Sequence, residues 1–199
     1  MANRFSILVF ALVALISGAT ASRAAQAYIV VDARTGYVLE AHEPRQKRQV
    51  GSLTKIVTAA VVLDWSEHKH GDLNQVVTVP PEAFVGVTEN AGFQPGDRVS
   101  LRDLLYAALI QSDNAAAFTL AQAVGSQLQG TMPAGGSRIT PVDVFVGQMN
   151  ALAKTLKMER SRFVNPHGID NKVKPLPYST AEDMARITRY VMNKASFCF

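Results

Sequence analysis

Apolar positions along the chain fall into blocks whose spacing predicts a short hairpin followed by a mainly helical body. Ala27 to Val31 is a run of strand-forming residues, Asp32 to Gly36 carries turn residues, and Tyr37-Val38-Leu39 reads as the returning strand. Arg34-Thr35-Gly36 supplies the glycine that a short hairpin loop needs, and Glu43-Pro44 closes the unit. From Leu53 to Trp65 the chain is apolar on nearly every side of a helix, which places that helix inside a domain and not on its surface. Gln75 to Val79 is a short strand-like run ended by Pro80-Pro81, and Gln94-Pro95-Gly96-Asp97 is a turn. Leu101 to Ile110 forms an apolar helix with Ser100 at its cap; the polar Gln111 to Asn114 interrupts it, and Ala115 to Val124 resumes it. Gly130 to Gly136 is a small-residue linker, Pro141 to Met158 an amphipathic helix, and Ser179 to Asp183 a capped start for a last helix reaching about Asn193. The expected class is α/β of the α+β type, one N-terminal β-hairpin and a helical body. A lone two-stranded hairpin is marginal in water, so more strands are expected to complete the sheet, and the rest of the pattern offers none.

The first residues do not belong to this body. A short basic start at Met1 to Arg4, an apolar run from Phe5 to Ile16 and the small residues Ser17 to Ala21 form the pattern of an exported leader. The run is shorter than the roughly 20 apolar residues that span a bilayer, so a cleaved signal peptide over 1–24 is expected and not a retained anchor. Residues 25–199 then form one domain, periplasmic or secreted. The only cysteine, Cys198, excludes an internal disulfide, which an exported domain of this size does not require. A net charge of +4 is too mild to point to nucleic acid. The cluster Arg45, Lys47 and Arg48 reads as a solvated loop without aromatic or glycine-rich interleaving. Membrane association is not encoded in these residues.

Two clusters carry chemistry. Ser52 and Lys55 are three apart at the start of the apolar helix, so the amine lies one turn beyond the hydroxyl on the same face. A serine is a poor nucleophile until a neighbouring base removes its proton, and burial in an apolar helix lowers the pKa of a lysine toward that of such a base. The helix start also favours developing negative charge. Ser112-Asp113-Asn114 places a second hydroxyl and an amide on the loop between two buried helices. His68 and His70, two apart, do not share a helix face and have no matching ligand cluster, so they are read as a solvated helix end and no metal is expected. His167, within Asn165-Pro166-His167-Gly168, is read as a loop-fixing residue and not a catalytic base.

The segments Val50 to Thr58, Gln94 to Leu105 and Ile110 to Ala117 resemble the serine D-alanyl-D-alanine carboxypeptidases, the low-molecular-mass penicillin-binding proteins. Phe163 to Asp170 and Tyr178 to Ala185 resemble that family too, and the similarity runs from about Tyr28 to Asn193. The resemblance implies a β-lactamase/penicillin-binding transpeptidase-like fold. It implies that Ser52 attacks the carbonyl between two terminal D-alanines of a peptidoglycan stem peptide and forms an acyl-enzyme. Lys55 would be its base, Ser112 a proton relay to the leaving amine, and Asn114 a hydrogen-bonding partner of the substrate backbone. Asp113 is assigned no firm role. Peptidoglycan stem peptides and, as covalent inhibitors, β-lactams are the implied partners; no cofactor is implied. The family's third element, Lys-Thr-Gly on a strand beside the nucleophile, does not occur in this sequence. The expectation is therefore an incomplete domain over 25–199, cut short before that strand, with its C-terminal sheet strands missing and its activity impaired. Two rival readings are a non-catalytic peptidoglycan- or penicillin-binding remnant and a class A β-lactamase. The latter needs a deacylating glutamate, and Glu159 has the wrong context for it.

Overall fold

A computed structural model describes residues 25–86, 91–130, 139–170 and 174–198. The expected leader, and all of the expected linker but Gly130, lie outside these residues. Strands β1 (Tyr28–Val31) and β2 (Val38–His42) pair antiparallel, Tyr28 opposite His42, with an irregularity between Val30 and Val31. The turn forms as its residues dictate. Asp32 Oδ1 accepts from the Thr35 N–H at 2.6 Å and from its hydroxyl at 2.5 Å, and Gly36 takes a φ of 78°. The second strand starts at Val38 and runs to His42, not from Tyr37 to Leu39, and all of it is exposed.

The hairpin is not the only strand pair. β3 (Val76–Thr78) and β4 (Arg98–Ser100) form a second antiparallel pair, Val77 opposite Val99. This corrects the expectation of a single hairpin. Arg98–Ser100 is too short to show a period of two, and Ser100 serves both as the last strand residue and as the cap of the next helix.

Helix α1 (Thr54–Lys69) is the spine of the body. Ten of its residues are buried, including Val57, Val62 and Leu63, and it packs against every later helix. It is preceded by a 3-10 turn, Gly51–Leu53, so Ser52 sits on the turn and Lys55 on the helix. The remaining helices are α2 (Leu101–Ile110), α3 (Asn114–Gln129), α4 (Pro141–Thr155) and α5 (Ala181–Met192). Each opens on a polar cap. Ser100, Asp113, Thr140 and Thr180 accept from the backbone N–H three residues on, and Thr140 forms a full capping box with Asp143. Helix α3 is longer at both ends than expected, and α4 stops at Thr155 and not at Met158. Helices α3 and α4 meet closely: a Cβ at Gly125 would lie 2.0 Å from the Pro141 carbonyl oxygen.

After α5 the chain returns to α1. Tyr190 donates to Asp64 Oδ1 at 2.6 Å, while Lys194 Nζ reaches the same oxygen at 2.7 Å and Glu67 Oε2 at 2.6 Å. Among the described residues, no helix is long and apolar enough to cross a membrane.

Candidate active site

The N-terminal end of α1 carries an exposed hydroxyl above a buried amine. Ser52 is exposed on its 3-10 turn, whereas Lys55, one turn later, is 2% exposed. The amine Nζ lies 3.1 Å from Ser52 Oγ, 3.4 Å from Ser112 Oγ, 2.7 Å from Asn114 Oδ1 and 3.0 Å from the His167 carbonyl oxygen. Of the four residues singled out in the sequence, Ser52, Ser112 and Asn114 thus converge on the nitrogen of the fourth, Lys55. Burial pushes the Lys55 pKa down to about 8, the nearby Asp113 charge opposing the shift.

Ser112 is delivered by the turn between α2 and α3. Its backbone adopts φ 58°, the left-handed region, which a serine takes only when its neighbours hold it there. Asp113 is the neighbour that does so. Its side chain is buried and caps α3 through the Ala116 N–H at 2.6 Å, its second oxygen accepts from the Ala91 N–H, and its own N–H bonds Ala107 O at 3.0 Å. Asn114 is consequently the first residue of α3, with its side-chain oxygen on Lys55.

The fourth ligand of the amine is a backbone carbonyl, which no residue type announces. It belongs to the loop 160–168, which is held by three helices and by one of its own side chains. Asp183 of α5, 2% exposed, accepts from the Arg160 N–H at 2.9 Å and the Ser161 hydroxyl at 2.8 Å. Asn150 of α4 grips both the N–H and the C=O of Phe163, at 3.0 and 2.8 Å. Thr58 of α1 donates to Pro166 O at 2.6 Å. Asn165 Oδ1 accepts from the N–H groups of His167 and Gly168, at 3.2 and 2.6 Å. Gly168 is the tightest contact. It takes φ 87°, and a Cβ there would lie 1.9 Å from the carbonyl oxygen of Gly51, the residue before Ser52. The His167 imidazole accepts from the Ile169 N–H at 3.1 Å; burial and the Lys55 charge push its pKa down to about 4. The sequence signal for this loop was the Asn-Pro-His-Gly string, but it pointed to the ring of His167, and the group that reaches Lys55 is its main chain.

At the far end of α1, donor atoms of Asp64, Glu67 and His68 lie within 4.8 Å of one another. Lys194 already sits on both carboxylates, and its pKa is raised. Burial alone would lower it, but the bonds to Asp64 and Glu67 outweigh that. His68 Nδ1 faces the Asp64 carbonyl of its own helix at 2.9 Å, and His70 ends the helix in the left-handed conformation with φ 55°.

The sequence profile of the D-alanyl-D-alanine carboxypeptidase family, peptidase S11, matches residues 16–197. The chain is 33% identical over 178 residues to the D-alanyl-D-alanine carboxypeptidase DacC of Escherichia coli, a match covering 85% of this chain and 40% of that protein. It is 34% identical over 163 residues to a D-alanyl-D-alanine endopeptidase of Pseudomonas aeruginosa, covering 80% and 44%. Among solved structures, the D-alanyl-D-alanine carboxypeptidase of Mycobacterium tuberculosis superposes with a TM-score of 0.70 at 32% identity, over 87% of this chain and 58% of that one. The chain spans less than half the length of each of these two curated relatives. With 182 of 199 positions inside the matched region, the chain belongs to the D-alanyl-D-alanine carboxypeptidase family.

Proposed function

We propose that this chain performs acyl transfer at Ser52 on D-alanyl-D-alanine-terminated peptidoglycan stem peptides, as a serine-type carboxypeptidase exported by its leader to the periplasm or beyond. The observation that supports this most is the buried Lys55 amine, pushed down to about 8 and 3.1 Å from an exposed serine hydroxyl. In its free-base form Lys55 takes the Ser52 proton as Oγ attacks the carbonyl between the two D-alanines. The Ser52–carbon bond forms, the peptide C–N bond breaks, and Ser112 passes the proton from Lys55 to the departing amine of D-alanine. Water then cleaves the ester and releases the shortened peptide. Asn114 has a second function in this scheme: its amide nitrogen is free to face the substrate backbone while its oxygen holds Lys55.

A β-lactam ring carbonyl enters the same first step, but its amine stays tethered, so the ester accumulates. Incubation of the full chain with a labelled penicillin, followed by intact-mass measurement, is expected to give one adduct per chain at Ser52 and none in Ser52→Ala. No adduct on a folded chain would instead establish the non-catalytic reading. Because the family's Lys-Thr-Gly motif is expected to hold the substrate carboxylate and supply an oxyanion donor, release of D-alanine by this polypeptide alone should be slower by about 100- to 1,000-fold than by a relative that carries it.

A further inference from the structure

We propose that Asn165 is a positioning residue of this site: by gripping the Gly168 N–H it aims the His167 carbonyl at Lys55, and so turns the lone pair of the amine toward the serine hydroxyls. The inference rests on the roles proposed above for Ser52 and Lys55.

The geometry is that of one peptide unit. The His167–Gly168 bond is trans, so its N–H and C=O point in opposite directions. Asn165 Oδ1 takes the N–H at 2.6 Å, and on the other side the oxygen meets Lys55 Nζ at 3.0 Å. The preceding carbonyl, Pro166 O, is tied to Thr58, which is 1% exposed and lies three residues beyond Lys55 on α1. Gly168 against Gly51 closes the remaining direction of movement. Asn165 and Thr58 therefore fix the carbonyl relative to the same helix that carries the amine.

Donor counting shows what that carbonyl does. A neutral lysine amine has two N–H groups and one lone pair. Of its four neighbours, Asn114 Oδ1 and His167 O are amide oxygens that only accept, whereas the oxygens of Ser52 and Ser112 belong to hydroxyls that can donate. With both N–H groups drawn to the amide oxygens, the lone pair is left facing a hydroxyl, as a base requires. Without the carbonyl, one N–H is free to turn onto Ser52 Oγ, and the amine becomes a donor to the group it should deprotonate.

The carbonyl also supports the ammonium form, which needs acceptors more than the neutral amine does. The titratable groups facing Lys55 are Asp113, ahead of α3, and the His167 ring, which is neutral wherever Lys55 titrates. Loss of the held carbonyl should thus lower the Lys55 midpoint.

The test uses the full chain carrying 13C,15N-labelled lysine, with the Lys55 signal titrated by NMR in wild type, Asn165→Ala, Thr58→Val and Thr58→Ser. The expected result is a midpoint at least about half a unit below wild type in Asn165→Ala and Thr58→Val, with Thr58→Ser restored to wild type. An unchanged midpoint in a folded variant overturns the inference. So does a rise toward the ordinary lysine range, which is what water entering a merely loosened site would cause. Thr58→Val stands in if Asn165→Ala does not fold. On the same proteins, the high-pH plateau of penicillin acylation should fall about tenfold in Asn165→Ala; an unchanged plateau overturns the lone-pair role. If wild type takes no penicillin, the proposed function fails, and the lysine titration still decides whether Asn165 acts on Lys55.

Discussion

Lys55 illustrates how much a single side chain can owe to its surroundings. Its folded pKa lies below that of an unfolded lysine, near 10.4, so between about pH 8 and 10.4 the unfolded chain holds a proton that the folded chain has shed. Stability therefore rises with pH across that window, and the cost of the buried charge is complete below it. The same titration sets the proposed chemistry. Acylation by a penicillin should climb with pH with a midpoint near 8, as the free base is populated; rate constants of adduct formation against pH check this, and a midpoint in the ordinary lysine range would contradict it. Lys55→Arg keeps the charge but cannot serve as a base, and should slow acylation by about 100- to 10,000-fold. Ser52, Lys55, Ser112 and Asn114 were legible because it is their side chains that meet at the Lys55 amine. Asn165, Thr58 and the His167 carbonyl were not, since a main-chain acceptor leaves no mark in residue type.

The helices and the loop between them show a similar division. The cap at Ser100 and the capped start within Ser179 to Asp183 could be placed from the sequence, because capping is local chemistry. The loop 160–168 could not, because it is held by Asn150 from α4 and Asp183 from α5, both remote in the chain. Asp183 is the stronger of these ties. Besides Arg160 and Ser161 it bonds Arg186 Nη1 at 2.6 Å, so Asp183→Ala leaves the Arg160 N–H without its side-chain acceptor, while the Arg186 guanidinium keeps Glu182 and Lys157 O and the Ser161 hydroxyl keeps Ser179 Oγ. A loss of about 2 kcal/mol is expected from urea unfolding, with loop 160–168 losing amide protection first. Asp183→Asn, which keeps one acceptor oxygen, should cost less.

Across the molecule the helical body is well buried and the strands are not. Tyr37 and Leu39 are 70% and 64% exposed, and each strand pair ends in unpaired edges among the described residues. Open apolar edges invite association. Leu39→Lys should raise the concentration at which the chain stays monodisperse by light scattering, while shifting unfolding free energy by no more than about 0.5 kcal/mol. The expectation that the hairpin lacks sheet partners holds for the described residues. The expectation of one hairpin did not hold, because β3 and β4 are each three residues long and pair across residues 79–97.

By itself, the order of residues determined what depends on near neighbours. These are the turn at Asp32 to Gly36, the caps, the all-round apolar helix and the three-residue step from Ser52 to Lys55. The family resemblance was legible for the same reason, since it rests on contiguous strings. Only the tertiary structure decided what depends on distant chain segments meeting. It brought Ser112 and Asn114 to the amine across 57 and 59 positions, and the His167 carbonyl across 112. It also buried Lys55, and here that burial, imposed by segments distant in the chain, is what pushes the amine toward a base at moderate pH.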